Sequence, residues 1–193
     1  MPELPQEIWK DRIDNELQSL ERLNVVEEGS IAHFEHSVEL ILNISALGFV
    51  KESDSDGLVL NPKNTHRVFI KINKTFPYPG GIDFSWYSDI FHPNIHPVEL
   101  TFPPNTVGTG YICLNVLKKW SRLSDLANTV KALEMLIEHP NPDDPLKYDI
   151  CSEATEFFKE HTMVELREQY SQEIEVLEEE EVDDYDDIII LDD

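Results

Sequence analysis

The 193 residues carry 39 acidic against 15 basic side chains, a net charge of −24, and 40% of them are hydrophobic. That length and apolar content suit one domain with a real core plus a tail. The charge argues against binding a phosphate backbone and for a basic protein partner. From Glu173 onward there are 12 acidic residues and no basic ones, so the imbalance describes a tail more than a fold.

In chain order, Pro5 to Val25 reads as a helix, because Ile13, Leu17 and Leu20 recur on one helical face with charges between them. Phe34 to Ile44 is apolar and rich in β-branched residues and reads as a strand. Ser53-Asp54-Ser55-Asp56-Gly57 is a turn cluster. Leu58-Val59-Leu60 and Val68 to Ile72 read as two further strands, separated by Asn61-Pro62-Lys63-Asn64. Phe76-Pro77-Tyr78-Pro79-Gly80-Gly81 must be a rigid loop, and Phe84, Trp86 and Ile90 suggest another strand with alternating faces. Later, Ser124 can cap a helix running to about Glu138, with Leu126, Val130, Leu133, Leu136 and Ile137 as its apolar stripe and Asp125 suited to its dipole. The Pro140-to-Pro145 segment ends that helix. Two more are expected near Tyr148–Lys159 and Thr162–Leu177. Beyond them the composition is too acidic to pack. Strands grouped before helices predict an α+β fold with an antiparallel sheet.

Cys113 and Cys151 are the only cysteines, with no Cys-x-x-Cys spacing. The chain shows no signal peptide and no apolar span of membrane length. A cytoplasmic location, reduced thiols and no membrane partner are therefore expected. Cys151 falls on the apolar side of a helix with Phe158 and reads as core. Cys113 differs: Gly108 and Gly110 loosen the backbone before it, and polar Asn115 follows it. That is a setting for a reactive thiol rather than a packed one. His92 and His96 are four positions apart in a proline-containing loop without a third ligand, so neither a metal nor another cofactor is called for.

Four segments, in this order, resemble the ubiquitin-conjugating enzymes. His92-Pro93-Asn94-Ile95 is similar to the family's His-Pro-Asn motif, and Ile112-Cys113-Leu114 to its active-site segment. Trp120-Ser121 is similar to the tryptophan that follows, and Pro140 to Leu146 to the proline-rich exit from the crossover helix. Arg12-Ile13 with Glu16-Leu17 resembles the first helix. The resemblance covers residues 8–172. It implies the UBC fold: an N-terminal helix, a four-stranded antiparallel meander, the active-site segment, a crossover helix and two C-terminal helices. Residues 1–177 would form the catalytic domain and 178–193 an acidic tail.

By the same resemblance, Cys113 would accept activated ubiquitin or a ubiquitin-like protein as a thioester and pass it to a substrate lysine. The chemistry suits a thiolate, which is both nucleophile and leaving group. Asn94 has two open roles: donating to the developing oxyanion, or supporting the loop that forms the site. Asp144 matches the position whose carboxylate orients or desolvates the incoming lysine. Asn115 stands where many members carry aspartate. Tyr78 with Ser121 and Arg122 would face a ligase, and Arg12 an activating enzyme. In the tail, Ile188, Ile189, Ile190 and Leu191 lie between acidic pairs, a pattern able to add a strand to a small modifier's sheet edge. A non-catalytic variant of the fold, serving as a modifier-binding scaffold, is the alternative. One departure bears on the mechanism. Asn94 and Cys113 are 19 positions apart, so the extra stretch from His96 to Tyr111 is expected to form a flap able to displace Asn94 or gate the thiol.

Overall fold

The structure, a computed structural model, describes residues 3–54, 57–98, 110–113 and 125–170. Helix α1 (Gln6–Arg22) leads into four strands: β1 (Ala32–His33), β2 (Ser37–Asp54), β3 (Gly57–Asn73) and β4 (Ile82–Trp86). Helices α2 (Leu126–Glu138) and α3 (Asp149–Glu160) follow, and residues 163–170 are helical and form α4. The strands make one antiparallel meander in the order β1-β2-β3-β4. The fold is α+β.

Period-two alternation explains which face is buried. Val38, Leu40, Leu42 and Ile44 of β2 and Val68, Ile70 and Ile72 of β3 are all buried. They form one core with Trp9, Ile13, Leu17 and Leu20 of α1 and Leu126, Val130, Leu133 and Ile137 of α2. A second cluster joins Phe49 of β2 and Phe91 to Ala154, Phe158 and Met163 near the chain's later helices. Each fully buried Leu or Ile contributes about 1.5–3 kcal/mol, so these two stripes and the sheet face hold the layers together.

Several boundaries differ from the sequence-based expectation, each for a tertiary reason. Helix α1 stops at Arg22 rather than Val25. Asn24 turns left-handed at φ 54, and Val25 then offers its carbonyl to the Asn43 N–H at 2.7 Å. Phe34 lies in the turn before β2, its N–H on the Ser37 carbonyl at 2.8 Å. The two strands expected on either side of Pro62 are one. Pro62 pairs with Phe49 of β2, while β4 reaches only Val68 to Ile72 of β3. The far side of Pro62 is therefore a strand edge, where proline is tolerated. A one-residue bulge in β2 between Ser45 and Gly48 keeps the long ladder in register. Gly48 suits this tight point, because an added Cβ would sit 3.0 Å from the His66 ring and 3.1 Å from Ile137, and those side chains would have to give way. β4 ends at Trp86, and Ile90 is buried outside any strand. The cap of α2 is Asp125, whose carboxylate accepts from the Asn128 N–H at 2.6 Å. The expected cap, Ser124, lies outside the described residues.

The buried acid Glu16 joins α1 to α2. One carboxylate oxygen accepts from the Leu126 N–H at 2.7 Å and the other from Arg12 Nε at 2.7 Å. A carboxylate at a helix N-terminus satisfies a donor that has no intrahelical partner and complements the dipole. Glu16→Gln keeps the size but loses the charge-assisted character. It is expected to lower stability by about 2 kcal/mol, read as a fall in the urea midpoint; an unchanged midpoint would contradict this role.

Candidate functional site

The segment carrying Cys113 is placed by backbone pairing. Ile112 bridges Ile95 in antiparallel sense. On either side of that bridge the Cys113 N–H donates to the Asn94 carbonyl and the His96 N–H to the Tyr111 carbonyl, both at 2.8 Å. Ile95 is fully buried and Ile112 packs against the core. Alternation therefore puts Asn94, His96, Tyr111 and Cys113 on the opposite face of this ribbon, where Asn94 and His96 are buried, Cys113 is partly exposed and Tyr111 is exposed. Cys113 stands across from Asn94 and Tyr111 across from His96, and such cross-strand Cβ atoms lie about 4.5–5.5 Å apart.

The extra stretch between them does not separate the two residues. Its described ends are both fastened to Trp86 at the end of β4. The Val98 N–H donates to the Trp86 carbonyl at 2.7 Å, and the Trp86 N–H donates to the Gly110 carbonyl at 3.0 Å. Gly110 has φ 74, and a Cβ there would approach Val98 Cγ2 to 2.7 Å. Only glycine fits this crossing without displacement. Residues 99–109, the body of the expected flap, lie outside the described residues.

Asn94 is buried and its amide is fully engaged. Nδ2 donates to the carbonyls of Asn141 and Asp144, both at 2.9 Å, and Oδ1 accepts from the Asn141 N–H at 2.7 Å. The Leu146 N–H adds a bond to the Pro93 carbonyl at 2.9 Å. The motif and the proline-rich loop thus clamp each other. The clamp holds Asp144 by its backbone and leaves its side chain exposed.

His92 supports this from beneath. Its Nδ1 accepts from the Asn94 N–H at 3.0 Å, which assigns the ring proton to Nε2. Burial pushes its pKa down to about 3, opposed by the nearby Leu136 carbonyl and reinforced by His66. His66 is lowered to about 4, again chiefly by burial with the Lys63 charge adding to it. Its Nε2 lies 3.0 Å from the Lys63 carbonyl and 3.2 Å from that of Ala46, contacts that oppose the shift, but burial prevails and both imidazoles are neutral in the folded protein.

The two thiols occupy different environments. Cys113 is partly exposed, and Cys151 is buried with Sγ directed at the Ile95 carbonyl, 3.3 Å away. Burial pushes the Cys151 thiol up to about 12, which suppresses its thiolate and hence its reactivity. Brief iodoacetamide treatment of the folded protein is expected to alkylate Cys113 and spare Cys151. Peptide mass mapping reads the result, and equal labelling would contradict the assignment.

Of the other sequence-derived residues, Arg12 and Tyr78 lie within the described residues. The Arg12 guanidinium sits 5.5 Å from the centroid of the Phe76 ring, two residues before Tyr78. Arg12 also pairs with Glu16 at 2.6 Å, so much of its hydrogen-bonding capacity is spent within the fold. Tyr78 is partly buried, its backbone bonded to Thr75 and Gly81. Asn115, Trp120, Ser121, Arg122, Ile188, Ile189, Ile190 and Leu191 lie outside the described residues. Among the described residues, no cluster of His, Cys, Asp and Glu is placed to hold a metal ion, and no helix is long and apolar enough to cross a membrane.

The sequence reading missed the Glu16 link and an aromatic group beside the thiol. His96 stacks on Tyr148 with centroids 4.0 Å apart, and Tyr111 lies 6.2 Å from Tyr148. Glu16 could have been noticed as a carboxylate on the apolar stripe of α1. No sequence signal joins Tyr148 to His96.

The family model described as "Ubiquitin-conjugating enzyme" matches residues 61–168, more than half of the chain and the segments that carry Asn94, Cys113 and Asp144. Ubiquitin-conjugating enzyme E2 T of Xenopus laevis is 36% identical over 90 residues, covering 40% of this chain and 45% of that protein. Ubiquitin-conjugating enzyme E2 13 of Schizosaccharomyces pombe is 32% identical over 108 residues, covering 49% and 71%. NEDD8-conjugating enzyme Ubc12 of Dictyostelium discoideum is 31% identical over 96 residues, covering 49% and 36%. The chain thus matches less than half the length of the Xenopus and Dictyostelium relatives. Among solved structures, the E2 domain of a Toxoplasma gondii ubiquitin conjugating enzyme superposes with a TM-score of 0.50 at 20% identity, covering 79% of this chain and 87% of that one, a likeness of fold. With the His-Pro-Asn clamp and the paired Cys113 segment inside the matched region, the chain belongs to the ubiquitin-conjugating enzyme family.

Proposed function

We propose that this protein is a conjugating enzyme that carries ubiquitin or a ubiquitin-like modifier on Cys113 and delivers it to a lysine amine. The observation that carries this reading is the pairing of Cys113 across from Asn94, whose side chain fastens the loop bearing Asp144. The Cys113 thiolate attacks the carbonyl carbon of a modifier thioester on an activating enzyme. A new C–S bond forms, the old one breaks, and the activating enzyme's thiolate leaves. In the second step an unprotonated lysine amine attacks the same carbonyl, and the tetrahedral adduct expels the Cys113 thiolate as the amide forms. The proton lost by the amine passes to water or to the exposed Asp144 carboxylate.

In this reading Asn94 is a positioning residue, because both its amide hydrogens are already committed to loop carbonyls. Arg12 and Tyr78 sit on the surface assigned to the activating enzyme and to a ligase, with Ser121 and Arg122 completing the latter and Asn115 flanking the thiol. Residues 1–177 form the catalytic domain. The tail, 178–193, offers Ile188 to Leu191 as an added strand on a modifier. The location is cytoplasmic. Relatives named for ubiquitin and for NEDD8 both match, so the class of modifier is left at ubiquitin-like.

The test is a pulse-chase. The protein is incubated with an activating enzyme, its modifier and ATP, quenched, and run without reductant. An adduct that reductant removes, and that free lysine discharges, is the expected result. Modifier that binds the protein but forms no such adduct with either ubiquitin or NEDD8 and its activating enzyme would favour the non-catalytic scaffold.

A further inference from the structure

We propose that this chain's own C-terminal segment, Ile188 to Leu191, seats as an added strand on the open edge of β3. Its side chains fill the groove between the β2–β3 hairpin and helices α3 and α4. The inference does not rest on the thioester reading of Cys113. The hairpin supplies one wall. Beyond the bulge at Ser45 to Gly48, β2 and β3 run on as a pair to Asp54 and Gly57, whereas β4 pairs with β3 only from Val68 onward. Among the described residues, no strand covers the far edge of β3 from Leu58 to Asn61. Leu58 and Val59 are 38% and 41% exposed there. An open apolar edge invites pairing, and folded proteins cover or charge such edges.

The helices supply the other wall. Phe49, Leu58 and Leu60 line a groove of about 200 Å³ together with Phe157 of α3 and Leu166 and Tyr170 of α4. Phe49 is buried, but Leu60, Phe157, Leu166 and Tyr170 are only half-buried, which leaves apolar surface for an occupant. An ion pair between Lys51 and Glu153 ties the hairpin to α3, so the two walls are held together in advance.

The course of the chain chooses the occupant. It leaves α4 at Tyr170, a residue of the groove itself, and residues 171–193 lie outside the described residues. Seventeen residues, 171–187, connect that point to Ile188, which keeps the segment near the groove at an effective concentration in the millimolar range. A contact with a Kd of about 100 μM would then be filled about nine-tenths of the time. The pattern fits as well. Four consecutive aliphatic residues put apolar side chains on both faces of a strand. The edge is apolar on both faces, with Leu58 and Leu60 toward the groove and Val59 on the other side. Isoleucine suits such cross-strand pairs. Acidic pairs bound the segment at four residues, the length of the open stretch from Leu58 to Asn61. Seated here, the segment is withheld from a modifier until it is released.

Hydrogen exchange of the full chain, read by mass spectrometry, tests the seat. Ile188→Ser, Ile189→Ser and Ile190→Ser combined are expected to speed exchange of the edge-facing amides within Leu58–Asn61 about tenfold, as loss of a contact filled nine-tenths of the time requires. The amides of Leu40 and Leu42 in the buried sheet should not change. Leu58→Lys, which blocks the seat from the other side, should speed exchange of the Ile188–Leu191 amides by a similar factor. Unchanged exchange at Leu58–Asn61 in the serine variant overturns the proposal, whether or not the segment is protected elsewhere. An equal change at Leu40 and Leu42 also overturns it, because that reports lost stability rather than a lost strand. So does protection that fades when the protein is diluted, since a second copy would then fill the seat.

Discussion

Asn94→Ala is expected to cost about 3 kcal/mol of stability and to slow modifier transfer about a hundredfold. The side chain makes three hydrogen bonds from a buried position, two to the Asn141 and Asp144 carbonyls and one from the Asn141 N–H. Each contributes about 1 kcal/mol, and buried groups left without partners cost as much or more. The kinetic loss arises because the loop bearing Asp144 is released from the strand opposite Cys113; misplacements of about 1 Å cost on the order of a hundredfold. Asn94→Asp should be no better, since a carboxylate oxygen would face two carbonyl oxygens where an NH2 now donates. Urea unfolding and single-turnover discharge separate the two effects. An amide free to serve only as an oxyanion donor would give slow transfer with full stability. That outcome would contradict the positioning role.

Acidification from pH 7.5 to 5.0 is expected to remove about 4 kcal/mol of folding stability through His66 and His92 alone. Both imidazoles are held neutral in the folded chain, with pKa values of about 4 and about 3. In the unfolded chain each would titrate near 6.5. The unfolded state therefore binds more protons in this range, and stability falls as pH falls. The contribution is complete above about 6.5, and at pH 5.0 each histidine has given up about 2 kcal/mol. Against a typical total of 5–15 kcal/mol this is a large fraction. His92 has a second consequence, because protonating Nδ1 would eject the Asn94 N–H at 3.0 Å and loosen the clamp. Urea midpoints at the two pH values provide the check. No loss at pH 5.0, or an equal loss in His66→Gln, would contradict it.

How much of this was readable in the sequence depends on whether the signal is local. The stripe Leu126, Val130, Leu133 and Ile137 marked α2 because helical period is written in neighbouring residues. The family motifs marked Cys113, Asn94 and Asp144 by residue type and order. The continuous β3 was hidden because Pro62 looks like a break until its opposite edge is seen to be unpaired by β4. The closeness of Asn94 and Cys113 was hidden for a similar reason. The 19-residue separation is closed by two bonds to Trp86 and by the crossing at Gly110, contacts that no local pattern reports. Glu16 falls on the apolar stripe of α1, but its partner, the Leu126 N–H at the start of α2, is 110 residues away in the chain. Cys151 was assigned to the core by its neighbours on one helical face, and it is buried there.

The central claim is that one thiol of two carries the modifier, and intact-mass spectrometry of the charged protein tests it most directly. The unaltered chain and Cys151→Ala should each gain a single modifier that thiols remove. Cys113→Ser should gain one that survives thiol but not alkali, because an oxygen ester has replaced the thioester, and Cys113→Ala should gain none. A reductant-labile modifier persisting on Cys113→Ala, or lost from Cys151→Ala, would contradict the account.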